Sequence, residues 1–409
     1  MNARTFAPIL AAAFFAVAPA AAQHDHGTGV HVDAEATFKL GADRFYRSTN
    51  ARSVLTDAYG EVEGVAKIIF NSEFSVQTKL HWERVKFATE SRTFGGHGLY
   101  LENLFANWES DGWRAAAGKF NPAFGMGWDD ARLPGFYANE FAKDYQLKEA
   151  IGAGGAYAFD GGTAGRHRVD AALFFFDNTA LSQSAFNSPA YGPGQGPLST
   201  TQRLGRNRLS YGGPGNTNSP QSVSIQYELA DPAGISGLTL GAGYRLLRRG
   251  SNQPFDPQAG FGPVASRNST GIVTGARYEI EMPFDVVVTP FVEWARFSNI
   301  FNADPQIGVN QFKQRTYLTA AAIVTWRDFT LVASRMTRTF DRPDAEATSG
   351  AFFNQQDRQI AGNLLYKVLD NLTLGVGWKR TLAVPAFGTT NSQALTRGAG
   401  AQAVYTVEF

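Results

Sequence analysis

Hydrophobic and polar residues alternate with a period of two along most of the chain, beginning near residue 32. In the segment 270–282, every second side chain is Ile, Thr, Ala, Tyr or Met, and the positions between them are mainly Gly, Arg and Glu. The segments 74–83, 222–229, 317–326 and 359–368 follow the same rule. Because successive side chains of a β-strand point to opposite faces, the pattern predicts strands with one apolar face.

Short turns and long loops alternate strictly between the predicted strands. Most strands run about ten residues or more, which is the length that a tilted strand needs to cross a bilayer and is longer than a usual globular strand. The sixteen predicted strands are 32–43, 58–70, 74–85, 98–109, 113–120, 150–159, 167–176, 221–229, 238–249, 270–282, 285–297, 315–327, 329–340, 357–368, 371–381 and 398–409.

A soluble β-sandwich also alternates, with its apolar face turned inward. Strand length, the alternation of turns and loops, and aromatic residues at strand ends favour a membrane barrel instead. In lipid, only a closed barrel satisfies the backbone of a sheet. We therefore expect an all-β fold, a transmembrane antiparallel β-barrel of about 16 strands. The aromatic residues at strand ends are Trp82, Trp108, Trp113, Tyr157, Phe159, Trp326, Phe329, Tyr366 and Trp378.

The first 22 residues predict export. Arg4 precedes an apolar run, and Ala20-Ala21-Ala22 gives a small-residue cleavage pattern, so we expect a secretory signal peptide over 1–22. After it, no stretch of 18 or more apolar residues follows. The whole of 23–409 is then expected to form one barrel domain.

Composition removes several classes of function. The chain has 409 residues, no cysteine, and 37 Lys and Arg against 36 Asp and Glu. Disulfide scaffolds, thiolate metal sites and a lipoprotein anchor all need cysteine. The balanced charge gives no basic surface for nucleic acid.

The polar face of a sixteen-strand barrel surrounds water, so its charged residues are candidates for the wall of a pore. Both signs are present in similar number, which favours a general hydrophilic pore. For each residue, the plainer interpretation is a solvated charge near a rim. The candidates are Lys39, Lys79, Glu83, Arg245, Arg277, Glu279, Arg315 and Lys367, together with Glu35 and Lys67.

The third long loop, 121–149, mixes Gly, Pro and aromatic residues with an excess of acids. Folded into the lumen, it would narrow the pore and set its acids against basic residues of the wall. The alternative is an external loop that lies over the mouth. We favour the constriction. Its candidate residues are Asp129, Asp130, Arg132, Glu140 and Asp144, with Lys143, Lys148 and Glu149 nearby.

Two stretches resemble known families. The last strand alternates from Ala401 to Phe409 and resembles the C-terminal strand that the bacterial assembly machinery recognises, so Phe409 is a candidate assembly signal. The run 118–125, GKFNPAFG, resembles the G-x-F-x-x-P-F-G stretch of the phosphate-selective porin O/P family, with its Pro one place earlier. With the barrel layout, the chain resembles general bacterial porins.

That resemblance implies a passive, usually trimeric channel in the bacterial outer membrane, in contact with lipid and lipopolysaccharide, that passes small hydrophilic solutes. The alternatives are a substrate-specific uptake or export barrel with a binding site in its lumen, for anions or phosphate-type solutes, and a plugged adhesin-like barrel. No basic run supports phosphate selectivity. None of the six histidines lies in a G-x-S-x-G or H-E-x-x-H context, so we do not expect an enzyme.

Two further segments are weaker candidates for sites. His24-Asp25-His26, with His31 and Asp33, could bind copper or zinc. A mobile histidine-rich tail is the plainer interpretation, so we predict no metal and no cofactor. The longest loop, 177–220, carries Arg203, Arg206 and Arg208 and could touch a ligand or lipopolysaccharide. We interpret it as a solvated external loop.

Overall fold

A computed structural model describes residues 29–85, 88, 90–185, 207–252, 266–304, 308–341, 355–383 and 393–409. The predicted signal peptide, His24, His26, Arg203 and Arg206 lie outside these ranges. Within the described residues, the helical segments are single 3-10 turns, and no helix is long and apolar enough to cross a membrane.

Sixteen strands form the barrel, as the alternation predicts. They are β1 (His31–Ser48), β2 (Leu55–Ile69), β3 (Phe74–Arg84), β4 (His97–Ser110), β5 (Trp113–Phe120), β6 (Ala150–Asp160), β7 (Arg166–Phe176), β8 (Ser222–Ala230), β9 (Leu238–Leu247), β10 (Ser269–Tyr278, continued by Ile280–Met282), β11 (Val286–Asp304), β12 (Gly308–Trp326), β13 (Phe329–Asp341), β14 (Gln355–Leu369), β15 (Leu372–Ala383) and β16 (Ala394–Glu408). A two-residue strand, Arg92–Thr93, pairs in parallel with β2.

Each barrel strand pairs antiparallel with its neighbours in sequence, and β16 pairs with β1 to close the ring. The backbone N–H of Phe409 donates to the carbonyl of Ala34 at 2.8 Å, which continues this last ladder. Closure leaves the barrel without an unpaired edge, and this is the condition that a sheet must meet in lipid.

Burial along the strands is opposite to that of a soluble sandwich. On β14, Ile360 and Leu364 point outward and are 48% and 41% exposed, whereas Gln359 and Asn363 point inward and are both 1% exposed. On β8, Ile225 is exposed while Ser222 is buried. Apolar side chains therefore face the surroundings and polar side chains face the interior, as the predicted membrane barrel requires.

Aromatic rings stack on the outer surface near the short turns. The rings of Trp113 and Tyr157 lie 4.2 Å apart between centroids, and those of Phe329 and Tyr366 lie 4.6 Å apart. Trp326 stacks on Phe329 as well. These rings occupy the position of the aromatic belt that anchors membrane barrels at the lipid–water interface.

The predicted connection between strands 285–297 and 315–327 is wrong. The pattern predicts a loop over residues 298–314, but β11 continues to Asp304 and β12 begins at Gly308, and the two strands pair along this stretch. This part of the hairpin is rich in Asn, Gln and Asp and lacks an alternating apolar face. A strand that extends beyond the bilayer needs no such face, so period-two hydrophobicity cannot locate its end.

Candidate functional site

The connection between β5 and β6, residues 121–149, is called loop L3 because it is the third long connection of the barrel. It follows the end of β5, where the paired Gly118 has a φ of 135° and leaves no room for a Cβ beside the carbonyl oxygen of Leu104. The nearby Lys119 amine is buried, with Asp177 at 2.8 Å and Glu149 at 3.0 Å. Both ends of L3 are therefore fixed to β5 and to the loop after β7.

Glu293 of β11 holds the first turn of L3. Its carboxylate accepts the backbone N–H of Met126 at 2.5 Å and that of Gly127 at 2.9 Å, and it also accepts the Tyr145 hydroxyl. Glu293 is 1% exposed, so these bonds form away from bulk water. A single buried carboxylate thus joins the outgoing and returning arms of the loop.

The middle of L3 reaches the opposite wall. Tyr137 donates to Asp43 of β1 at 2.5 Å, Glu140 pairs with Lys379 of β15 at 2.5 Å, and Asp144 pairs with Arg338 of β13 at 2.6 Å. β13 is halfway around the ring of sixteen strands from β5, where the loop begins. The loop therefore crosses the lumen, which confirms the predicted in-folded third loop.

Apolar packing and wall glycines seat the loop. Phe124 and Tyr145 are buried against Phe297 of β11. A Cβ added at Gly241 or Gly275 would lie 2.9 Å from the Met126 side chain. The wall therefore has glycine where the loop packs most closely, and larger side chains there would push it inward.

The two tyrosines that anchor L3 remain donors over the physiological pH range. Burial and the Asp43 carboxylate raise the pKa of Tyr137, and burial and the Glu293 carboxylate raise the pKa of Tyr145 far above its usual range. Both effects disfavour a phenolate beside a carboxylate. Both hydroxyls consequently keep the proton that they donate in the docked loop.

The other charged side chains of L3 are partly exposed, and one of them also reaches the wall. Arg132 pairs with Asp129 at 3.3 Å and with Glu228 of β8 at 2.9 Å, and Lys143 pairs with Asp130 at 3.1 Å. All four loop side chains are partly exposed to solvent. Of the five predicted constriction residues, Asp129, Asp130 and Arg132 are thus partly exposed on L3, and Glu140 and Asp144 dock the loop.

No protein-family model and no curated protein sequence matches the chain. Solved structures match over nearly its whole length. The outer-membrane channel DcaP of Acinetobacter baumannii has a TM-score of 0.51 at 11% identity, covering 93% of this chain and 98% of that one. OmpF of Salmonella typhi, in complex with daunomycin, has a TM-score of 0.55 at 11% identity, covering 92% and 97%. The chain has the fold of outer-membrane porins.

A third match is OmpT of Vibrio cholerae in its trimer form, with a TM-score of 0.50 at 9% identity and coverage of 93% of this chain and 100% of that one. The apolar outer surface, the closed ladder and the in-folded loop together place this porin barrel in the bacterial outer membrane. The resemblance to general porins is confirmed in the fold. The likeness of residues 118–125 to phosphate-selective porins stays a prediction.

Two predicted wall residues of the porin barrel are buried behind L3. Arg245 of β9 donates to the carbonyl of Tyr145 at 3.1 Å, and its guanidinium lies 4.2 Å from the ring centroid of Phe297. Arg315 of β12 donates to the Tyr317 hydroxyl at 2.9 Å and lies over Phe340. Both side chains point inward as predicted, but they are buried between L3 and the barrel wall.

Three predicted wall residues lie in a charged patch on β1–β4. Lys39 pairs with Glu61 at 3.3 Å, and Lys79 pairs with Glu63 at 2.9 Å. Glu83 accepts the hydroxyl of Tyr100. The cations of this wall are therefore neutralised by carboxylates on neighbouring strands.

The other predicted wall residues lie close to the short turns. Arg277 pairs with Glu279, and Lys367 pairs with Asp370 at 2.7 Å, with all four side chains partly or fully exposed. Glu35 lies at the same end and accepts the Thr37 hydroxyl at 3.4 Å. These charges lie at the rim of the porin barrel, in agreement with the interpretation of such residues as solvated rim charges.

The residues that fix the loop were not singled out in the sequence. Glu293, Arg338 and Lys379 each occupy an inward position of a strand whose inward face is otherwise uncharged, whereas Asp43 lies on the charged inward face of β1. A charge at such a position is the one signal that could have found them. Their partners lie in L3, far away in sequence, so alternation gives no pairing.

Proposed function

We propose that this porin barrel is a water-filled channel for the passive diffusion of small hydrophilic solutes and ions across the outer membrane. One observation carries the proposal. Loop L3 is tied to the opposite wall by Glu140 and Asp144, while the side chains of Asp129, Asp130 and Arg132 stay partly exposed to water. A fixed loop with a hydrated charged face narrows a lumen and leaves a passage beside it.

The charges beside the loop support a general channel over a dedicated one. Three carboxylates, Asp129, Asp130 and Glu228, lie at ion-pair distance from two cations, Arg132 and Lys143, so both signs are present and only one negative charge is in excess. Selective pores concentrate one sign of charge or a ring of matched ligands. Channel activity, and not catalysis, is the function that this arrangement supports.

Liposome swelling tests the proposal. Proteoliposomes that contain the folded barrel should swell in sugars and amino acids at rates that fall smoothly as solute size rises and increase linearly with solute concentration. Empty liposomes give the baseline. One solute that saturates its own flux and competes with others would support the substrate-specific alternative. No swelling with any solute would contradict a channel and favour a plugged barrel.

We propose further that the channel is a homotrimer. The support is the trimer form of the structurally similar OmpT of Vibrio cholerae. The smooth apolar outer surface of this chain suits contact with lipid or with a second copy, because both bury apolar side chains. Single insertions into a planar bilayer should then close in three equal steps, whereas single-step closure would indicate a monomer.

A further inference from the structure

A histidine and two glutamates converge on the inner wall of β2 and β3. Glu61, His81 and Glu83 each direct one potential ligand atom so that all three atoms lie within 4.8 Å of one another. His81 and Glu83 follow each other on the inward face of β3, and Glu61 lies on the inward face of β2. Arg84 joins this triad to the L3 anchor, because it lies 3.5 Å from Glu61 and 3.3 Å from Asp43.

The neighbours of His81 orient its ring. Nδ1 lies 3.3 Å from a carboxylate oxygen of the buried Glu102 and 3.3 Å from the Tyr100 hydroxyl oxygen. Because the carboxylate of Glu102 can only accept, the proton of the imidazole belongs on Nδ1. The lone pair of Nε2 then points to Glu83, whose second oxygen is 3.7 Å away.

This is the arrangement that protein metal sites use to prepare a histidine ligand. A carboxylate accepts the proton of one ring nitrogen, which fixes the tautomer and raises the basicity of the other nitrogen. The Tyr100 hydroxyl donates to Glu83 and fixes the orientation of that carboxylate. Lys39 and Arg84 hold Glu61, at 3.3 Å and 3.5 Å. Each of the three ligands thus has its own supporting contact.

The charge of the patch favours a divalent cation. Its ion-paired side chains include six carboxylates and four cations, so two negative charges remain when His81 is neutral. A divalent ion would balance that excess. The carboxylates are Asp43, Asp57, Glu61, Glu63, Glu83 and Glu102, and the cations are Lys39, Lys79, Arg84 and Arg92.

We infer that Glu61, His81 and Glu83 form a binding site for a divalent transition-metal ion such as Zn²⁺ or Cu²⁺ on the wall of the lumen. One imidazole nitrogen and two carboxylate oxygens suit these borderline ions. Metal–ligand distances near 2.0–2.2 Å require only small side-chain shifts from the present spacing. Three protein ligands leave coordination positions open to water, so the ion stays accessible from the lumen.

Calorimetric titration of the folded full-length barrel with Zn²⁺ tests the site. We expect one ion per chain. The His81→Gln variant should lose at least 10-fold in affinity, because an amide replaces the imidazole ligand. Glu102→Gln should keep the stoichiometry but lose about 10–100-fold, the usual effect of removing a carboxylate that orients a ligating histidine. Wild-type binding by either variant, or no binding by the wild type, would overturn the site.

Two controls separate this site from other histidines. The double variant His24→Gln/His26→Gln removes the N-terminal candidate ligands and should bind Zn²⁺ as the wild type does. His167→Gln, which removes a ring stacked on Phe159, should also leave binding unchanged. Loss of binding in either control would place the ion elsewhere. Electron paramagnetic resonance of bound Cu²⁺ should show coupling to one imidazole nitrogen in the wild type, and none in His81→Gln.

Discussion

Replacing Glu293 with alanine will raise the single-channel conductance of the barrel and add rapid fluctuations to the open current. The substitution leaves the N–H groups of Met126 and Gly127 and the Tyr145 hydroxyl without their shared acceptor. Each buried donor that loses its partner costs about 1–3 kcal/mol. The docked position of L3 will therefore lose most of its advantage over undocked positions, and the loop will leave part of the cross-section that it now occupies.

Glu279→Ala is the matched control, because it also removes one carboxylate. Glu279 lies near the rim, where it pairs with Arg277 and not with L3. Its conductance should stay close to that of the wild type. Planar-bilayer recording of the three proteins at equal salt gives the comparison. If the Glu293 variant showed the wild-type conductance and a quiet open current, the carboxylate would not be the anchor of the constriction.

Replacing Lys119 with methionine will destabilise the barrel by about 3–5 kcal/mol, the usual effect of removing one partner from a buried ion pair. The Lys119 amine is 2% exposed and lies between Glu149 at 3.0 Å and Asp177 at 2.8 Å, and it donates to the carbonyl of Leu181 at 2.8 Å. Methionine keeps much of the side-chain volume but leaves two carboxylates buried without the cation. Urea unfolding of the barrel in detergent measures the loss.

A control on the same strand distinguishes burial from charge. Arg114→Met breaks an exposed ion pair with Glu109, worth about 0–1 kcal/mol, and a hydrogen bond to the Asn107 side-chain oxygen, worth about 1 kcal/mol, so it should cost less than Lys119→Met. Equal effects of the two substitutions would show that the Lys119 cluster is worth no more than a surface pair. The account of how L3 and the loop after β7 are fixed to β5 would then fail.

The sequence is informative about the barrel because one physical rule governs most of its strands. Lipid requires an apolar residue at every second position, and the alternation therefore gives both the number of strands and the direction of each side chain. The rule ends where the bilayer ends. The outer hairpin of β11 and β12, with backbone pairing from Ser298 to Asp304, was missed for this reason.

Loop L3 was predictable in position but not in its contacts. Its bounds follow from the strands on either side, and its acids suggested partners on the wall. Tyr145 and Glu293 are separated by 148 positions, and Tyr137 and Asp43 by 94, so their meeting depends on the curvature of the closed ring. Arg245 and Arg315 show the same limit, since alternation places them inside but says nothing about the loop above them.

The run 118–125 has a local physical basis apart from any family resemblance. Gly118 permits the backbone to pass close to Leu104, Lys119 neutralises buried carboxylates, and Phe124 enters the core beneath L3. Each residue serves the root of the in-folded loop. The run therefore has a structural role in a constricted barrel, and its likeness to phosphate-selective porins stays a prediction.

Single-channel recording of the purified wild-type protein in a planar bilayer tests the central claim most directly. A lumen that L3 narrows without closing predicts long-lived open channels whose current rises linearly with voltage and scales with the salt concentration. Bilayers that receive folded barrels and show no stable openings would contradict the claim that water fills a passage beside the loop.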